Sequence, residues 1–169
     1  MGPWSRDHRP GSVVSVVQST DLDTWLDGTW RIDRTINRNG HFSGTAAFSP
    51  LHGGRVQWSE HGELQLGDHR GPASRELRLV PVPGVPWWQV LFDNDQPFHP
   101  LDLSGGRWQT RHDCGDDVYL GEYVVGDRGT LIVDWHVTGP GRDDRIRSVY
   151  TRLSPEPPGL SASSGPRPT

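Results

Sequence analysis

From Gly28 to Leu153, β-prone runs are interrupted by Gly, Pro, Asn or Asp clusters at intervals of about 8 to 12 residues, and this punctuation constrains the fold more than any other feature. Long helices have no room in such a pattern; short antiparallel strands joined by tight turns do. The 21 Gly and 15 Pro residues supply the turns. Strands are expected over residues 29–36, 41–48, 55–61, 74–82, 87–92, 98–103, 107–112, 118–125, 130–138 and 146–153. Alternation of apolar and polar residues is clearest in the last three.

One short helix is expected before the first strand. Ser19, Thr20 and Asp21 offer capping oxygens, while Leu22, Trp25 and Leu26 fall at helical spacing. Residues 1–18 read as an N-terminal arm whose β-prone run at 13–17 adds an edge strand or stays mobile. Residues 154–169, rich in Pro, Ser and Gly, read as a disordered tail. The remaining segment, 19–153, suits one domain.

Strands this short leave exposed edges unless the sheet closes. Closure at about eight to ten strands leaves an interior that can hold one small ligand. The sequence therefore predicts an all-β, closed antiparallel barrel, with a two-sheet sandwich as the alternative architecture.

Composition narrows the chemistry. All 17 basic residues are arginine, so Schiff-base and lysine-nucleophile mechanisms are excluded. The formal charge of −4, with both signs interspersed, provides no basic stripe for nucleic acid. Cys114 is the single cysteine, which rules out an intrachain disulfide and a Cys-x-x-Cys site and fits a reducing, cytoplasmic setting. No stretch approaches the ~18 apolar residues of a membrane span, and the first residues lack the apolar core of a signal peptide.

Gly28-Thr29-Trp30 directly after the helix, together with Arg152 in the last strand, resembles the lipocalin and calycin pattern. That resemblance implies a Trp beneath the barrel with an Arg over its ring, a cation–π contact that closes one end. Over most of residues 25–153 the chain is further identified as a member of a calycin-like domain family of unknown function. The matching pieces are Gly28-x-Trp30 with Arg34; Gly40-x-Phe42-x-Gly44-x-Ala46-x-Phe48; Trp58-x-Glu60-x-Gly62; Phe92-Asp93 with Phe98-His99; His112-x-Cys114-x-x-Asp117-x-Tyr119-x-Gly121-x-Tyr123; and Trp135-x-Val137-x-Gly139-Pro140 with Tyr150-x-Arg152. The chain departs from the family in having Asn94-Asp95-Gln96-Pro97 where a Gly-Arg pair is expected, and Gly141-Arg142 where a Lys is expected. The expected fold is thus a closed antiparallel calycin (lipocalin-like) barrel.

The densest polar constellation is His112, Asp117, Tyr119 and Tyr123. Tyr119, Gly121 and Tyr123 share a strand face, and Gly121 leaves space for a ligand or a neighbouring backbone. Imidazole titrates near neutrality and a buried phenol donates a hydrogen bond, so these groups suit proton exchange with a bound molecule. The alternative is that His112 and Asp117 merely cap the loop at 113–116. His99 shares a face with Leu101 and Leu103, as a candidate base or as a core histidine bonded to a carbonyl. Arg34 follows Trp30 and Ile32 on one face, which places a guanidinium inside the barrel; Glu60, or a carboxylate on the ligand, is its expected partner. Phe92, Trp135 and Tyr150 complete the expected ligand contacts, and Trp87-Trp88 reads as rim packing. Zinc is not expected, because no His or Cys pair has ligand spacing.

These residues lead to a barrel that takes up a small hydrophobic or amphipathic molecule and promotes a cofactor-free proton transfer, an isomerisation or cyclisation, with His99, His112, Asp117, Tyr119 and Tyr123 as acid–base groups. The rival readings are a carrier without chemistry, including a haem or pigment barrel held by one axial His, and an interaction barrel with a packed interior.

Overall fold

The computed structural model describes residues 21–127 and 129–153. Helix α1 (Leu22–Leu26) leads into strands β1 (Gly28–Ile36), β2 (Gly40–Pro50), β3 (Val56–Leu66), β4 (His69–Pro81), β5 (Trp88–Phe92), β6 (Pro97–Leu101), β7 (Arg107–Cys114), β8 (Asp117–Gly126), β9 (Thr130–Gly139) and β10 (Arg142–Arg152). All ten belong to one antiparallel sheet in the order β6-β5-β4-β3-β2-β1-β10-β9-β8-β7. Consecutive strands are neighbours except across the seam between β6 and β7, and one long-range ladder joins β1 to β10, from Trp30 opposite Arg152 to Ile36 opposite Ile146. This is the expected all-β barrel. The expected arm and tail, and helix-capping Ser19 and Thr20, lie outside the described residues.

The sheet's two end strands meet through side chains. Pro97 and Pro100 remove two N–H groups from β6, which makes it a poor ladder partner. Across the seam the Trp108 indole N–H donates to the Pro100 carbonyl at 2.9 Å, and Phe98 meets the His112 ring edge-on at 5.1 Å.

Expected and observed strands differ most at β3 and β4. They run on into a hairpin whose two-residue turn is Gly67 and Asp68, with Leu66 paired to His69. Gly62, Gly71 and Pro72 mask these extensions in the sequence. Pairing with the long neighbour overrides their weak strand preference. Because β5 and β6 are only five residues each, β4 pairs with β5 through residues 77–81 alone. Residues 69–76 form an edge, and the barrel wall is notched there between β4 and β7.

The opposite end is plugged. Leu22 and Leu26 of α1 are buried, and the Trp30 indole donates to the Leu26 carbonyl at 2.8 Å. The Arg152 guanidinium lies 4.3 Å from the Trp30 ring centre and donates to the carbonyls of Asp27 (2.7 Å) and Trp25. A buried side chain at every second position, Leu131, Val133, Trp135 and Val137 on β9 for example, fills the interior above this plug.

The backbones of β2 and β3 approach closely where Gly44 pairs with Gly62. A Cβ at Gly44 would lie 2.2 Å from the His61 carbonyl oxygen, and one at Gly62 would lie 2.2 Å from that of Ser43. Backbone cannot yield as a flexible side chain does. Gly44→Ala is therefore expected to destabilise the fold by about 2 kcal/mol or more, read from urea denaturation, since overpacking a close contact costs roughly 1–3 kcal/mol; a change below about 0.5 kcal/mol would show that the strands separate freely.

Candidate functional site

Strand register gathers the charged groups that alternation turns inward. Arg34 on β1, Glu60 on β3 and Ser148 and Tyr150 on β10 all face the interior, and Arg75 on β4 sits directly opposite Glu60. The Glu60 carboxylate, 1% exposed, accepts from Arg34 Nη2 (2.9 and 3.2 Å), Arg75 Nη2 (2.8 Å), the Trp58 indole (3.2 Å) and the Tyr150 hydroxyl (2.5 Å). Arg34 also donates to Ser148 Oγ at 2.7 Å and to the Tyr150 hydroxyl at 3.1 Å. The partner expected for Arg34 is thus present, and a second guanidinium, absent from the sequence reading, shares it. Arg75 follows the face of Leu77 and Leu79, which was the available signal.

Burial alone would raise the Glu60 pKa, but the charges of Arg75 and Arg34 and the Tyr150 hydrogen bond outweigh it and hold the carboxyl below its ordinary value. Burial pushes the phenols of Tyr150 and Tyr123 well above theirs, so both remain neutral hydroxyls. Burial likewise opposes the charge on Arg75, and Glu60 more than restores it. The Arg75 Nε is inaccessible and has no partner, although the side chain as a whole is 39% exposed. A buried donor left unpaired costs about 1–3 kcal/mol.

Above this cluster lies a cavity of about 200 Å³. Arg34, Arg75, Ser148 and Tyr150 form its polar end, while Leu77, Phe98, Val133 and Trp135 line it with carbon. Tyr123 also faces the cavity, and behind it His99 is 1% exposed. His99 Nδ1 lies 2.8 Å from the Pro100 carbonyl, an acceptor only, so Nδ1 carries the proton and Nε2 accepts from the Tyr123 hydroxyl at 3.0 Å. Both ring nitrogens are engaged. Burial brings the His99 pKa down to about 4.

The other expected residues gather at the end opposite α1. Phe92 stacks on Phe98 (4.5 Å between ring centres), Phe98 stacks on Trp135 (5.2 Å), and the His112 ring lies 5.8 Å from that of Tyr119. The space expected above Gly121 is filled by Trp135, whose ring carbons would lie 2.7 Å from a Cβ there. Asp117 packs against Gly139 and accepts from Arg142 Nη1 at 3.4 Å, while the same nitrogen donates to the Tyr119 hydroxyl at 3.0 Å. Arg142 thus supplies a cation beside Tyr119 and Asp117. The register separates the expected acid–base set: Tyr119 and His112 are at the mouth, Asp117 is further out, and His99 with Tyr123 forms the inner wall. A wider hollow of about 450 Å³ lies on the outer face, open to solvent, where Asp134 pairs with Arg147 at 2.6 Å and Glu122 with Arg107 at 3.1 Å.

Two outcomes follow from this geometry. In Glu60→Gln two guanidiniums lose their carboxylate, which is expected to cost about 3 kcal/mol of stability in urea denaturation; a cost below about 1 kcal/mol would mean that water already solvates them. His99 titrates near 6.5 when unfolded and near 4 when folded, so the unfolded chain takes up the proton first as pH falls. The stability it contributes is complete above about pH 6.5 and declines toward pH 4, by on the order of 3 kcal/mol. Denaturation at about pH 7 and about pH 4.5 should show this decline, and His99→Gln should flatten it; an equal slope in both proteins would place the acid sensitivity elsewhere.

Comparison with solved structures gives the fold its relatives. The S-type phycobiliprotein lyase CPES from Guillardia theta superposes with a TM-score of 0.65 at 8% identity, covering 83% of this chain and 95% of that one. The barrel EF1p2_mFAP2b, solved bound to DFHBI, has a TM-score of 0.47 at 13% identity, covering 81% and 100%. The redesigned β-barrel mFAP1, also solved bound to DFHBI, has a TM-score of 0.43 at 11% identity, covering 77% and 97%. No curated protein matches the sequence. No described helix is long and apolar enough to cross a membrane. Residues 26–152 match the Family of unknown function (DUF6314), and the chain belongs to that family.

Proposed function

We propose that the barrel binds one small, largely apolar organic molecule in the cavity between the Glu60 cluster and the aromatic mouth. The observation that carries this reading is the cavity itself: about 200 Å³ with carbon walls and a polar end already fixed by hydrogen bonds. Rigid, precisely placed polar groups in an apolar hollow are the usual construction of a ligand site. The volume is below the roughly 300–1,000 Å³ of drug-sized sites, so the ligand is small or extends through the mouth.

Within this reading, acid–base chemistry belongs to the mouth. His99 and Tyr123 satisfy each other and Glu60 is fully paired, which leaves His112, beside the Tyr119 ring, as the imidazole for a cofactor-free proton transfer of the isomerase or cyclase type. In the rival haem reading His99 has no free axial nitrogen, because both of its ring nitrogens are engaged, and His112 is the remaining axial candidate. The lyase that shares the fold is named as an enzyme, so the architecture is compatible with catalysis as well as with carriage.

Native mass spectrometry of freshly purified protein tests the binding reading. Wild type is expected to carry an organic adduct, and Val133→Trp, which fills the cavity, to lose it while remaining folded by circular dichroism. An adduct that persists in Val133→Trp would place the ligand outside the barrel, and a Soret band in wild type would overturn the cofactor-free reading.

A further inference from the structure

Among the described residues the cluster beside the cavity holds two guanidiniums and one carboxylate, while the buried Tyr123 and Tyr150 phenols keep their protons and His99 lacks a second one. The cluster therefore carries one net positive charge beside the cavity, which favours an anion. Arg75 is the group with capacity to spare. Among the described residues its hydrogen bonding is confined to Nη2, which donates to Glu60; the side chain as a whole is 39% exposed and borders the cavity. The guanidinium is held in place over the Trp58 ring, 5.4 Å from its centre, so an incoming acceptor meets a prearranged donor. Arg34, by contrast, is committed to Glu60, Ser148 and Tyr150.

We infer that the ligand is an amphipathic carboxylate whose anionic head pairs with Arg75 and whose apolar body, of about one or two rings, lies against Leu77, Phe98, Val133 and Trp135. This rests on the binding reading above and adds the charge and polarity of the molecule. A carboxylate suits the site because it accepts hydrogen bonds from a guanidinium fork with matching planar geometry. The size follows from the cavity, since an apolar hollow of about 150 Å³ holds a benzene ring and this one is somewhat larger.

Isothermal titration with matched pairs tests it: benzoate against benzamide, trans-cinnamate against trans-cinnamamide, and 2-naphthoate against 2-naphthamide. Each pair shares a shape and differs in charge. In wild type at least one acid is expected to bind about tenfold or more tightly than its amide, the difference typical of a charge-assisted over a neutral contact. In Arg75→Gln that acid should fall to the affinity of its amide while the amide is unchanged, and Arg75→Lys should keep most of the preference. If the amides bind as well as the acids, the cavity reading stands and the anion inference falls. If no compound binds, both fall. Should Arg75→Gln fail to fold, the wild-type acid-to-amide ratio decides alone.

Discussion

A carboxylate that accepts from two guanidiniums, an indole and a phenol inside an apolar barrel is the constraint around which the rest of this structure is arranged. Glu60 ties β3 to β1, β4 and β10 at one level of the barrel. Buried ion pairs of this kind add little net stability compared with apolar packing, but removing one member exposes the others to the full desolvation penalty. The cluster therefore acts less as glue than as a register lock. Ser148, Tyr150 and Arg34 are compatible with Glu60 only when β1 and β10 pair as they do, with Arg34 opposite Ser148.

The two ends of the barrel are closed by different means. At one end, α1 and the Trp30–Arg152 contact form a plug whose guanidinium is satisfied by backbone carbonyls. At the other, the short β5 and β6 leave the wall incomplete, and stacked aromatic rings stand where ladder hydrogen bonds would be. The prolines of β6 explain the asymmetry, because a strand stripped of N–H donors ends a sheet. A polar cluster inside, an aromatic mouth and a sealed base give the cavity one polar end and one apolar approach.

Much of this was legible in the chain itself. The ten strands, the single short helix, the Trp30–Arg152 contact and the inward Arg34 and Glu60 follow from alternation, turn chemistry and the family pattern. What was not legible has identifiable causes. The far halves of β3 and β4 contain Gly and Pro in a polar context, so local preference understates them. Gly121 read as open space, whereas the Trp135 indole from the neighbouring strand lies over it.

Alternation and turns are local properties, and by themselves they determined short antiparallel strands with an Arg and a Glu on their inward faces; the single ten-stranded sheet decided for the barrel over the sandwich. Which inward residues meet was decided only by the pairing of strands distant in sequence. Placing Arg75 opposite Glu60 gave the interior its excess positive charge, and bringing β6 against β7 and β8 seated His99 between the Pro100 carbonyl and the Tyr123 hydroxyl. A shift of one residue in any ladder would turn those side chains to the opposite face. The chemistry of the cavity is thus a property of register, and register is set by the closure of the whole sheet.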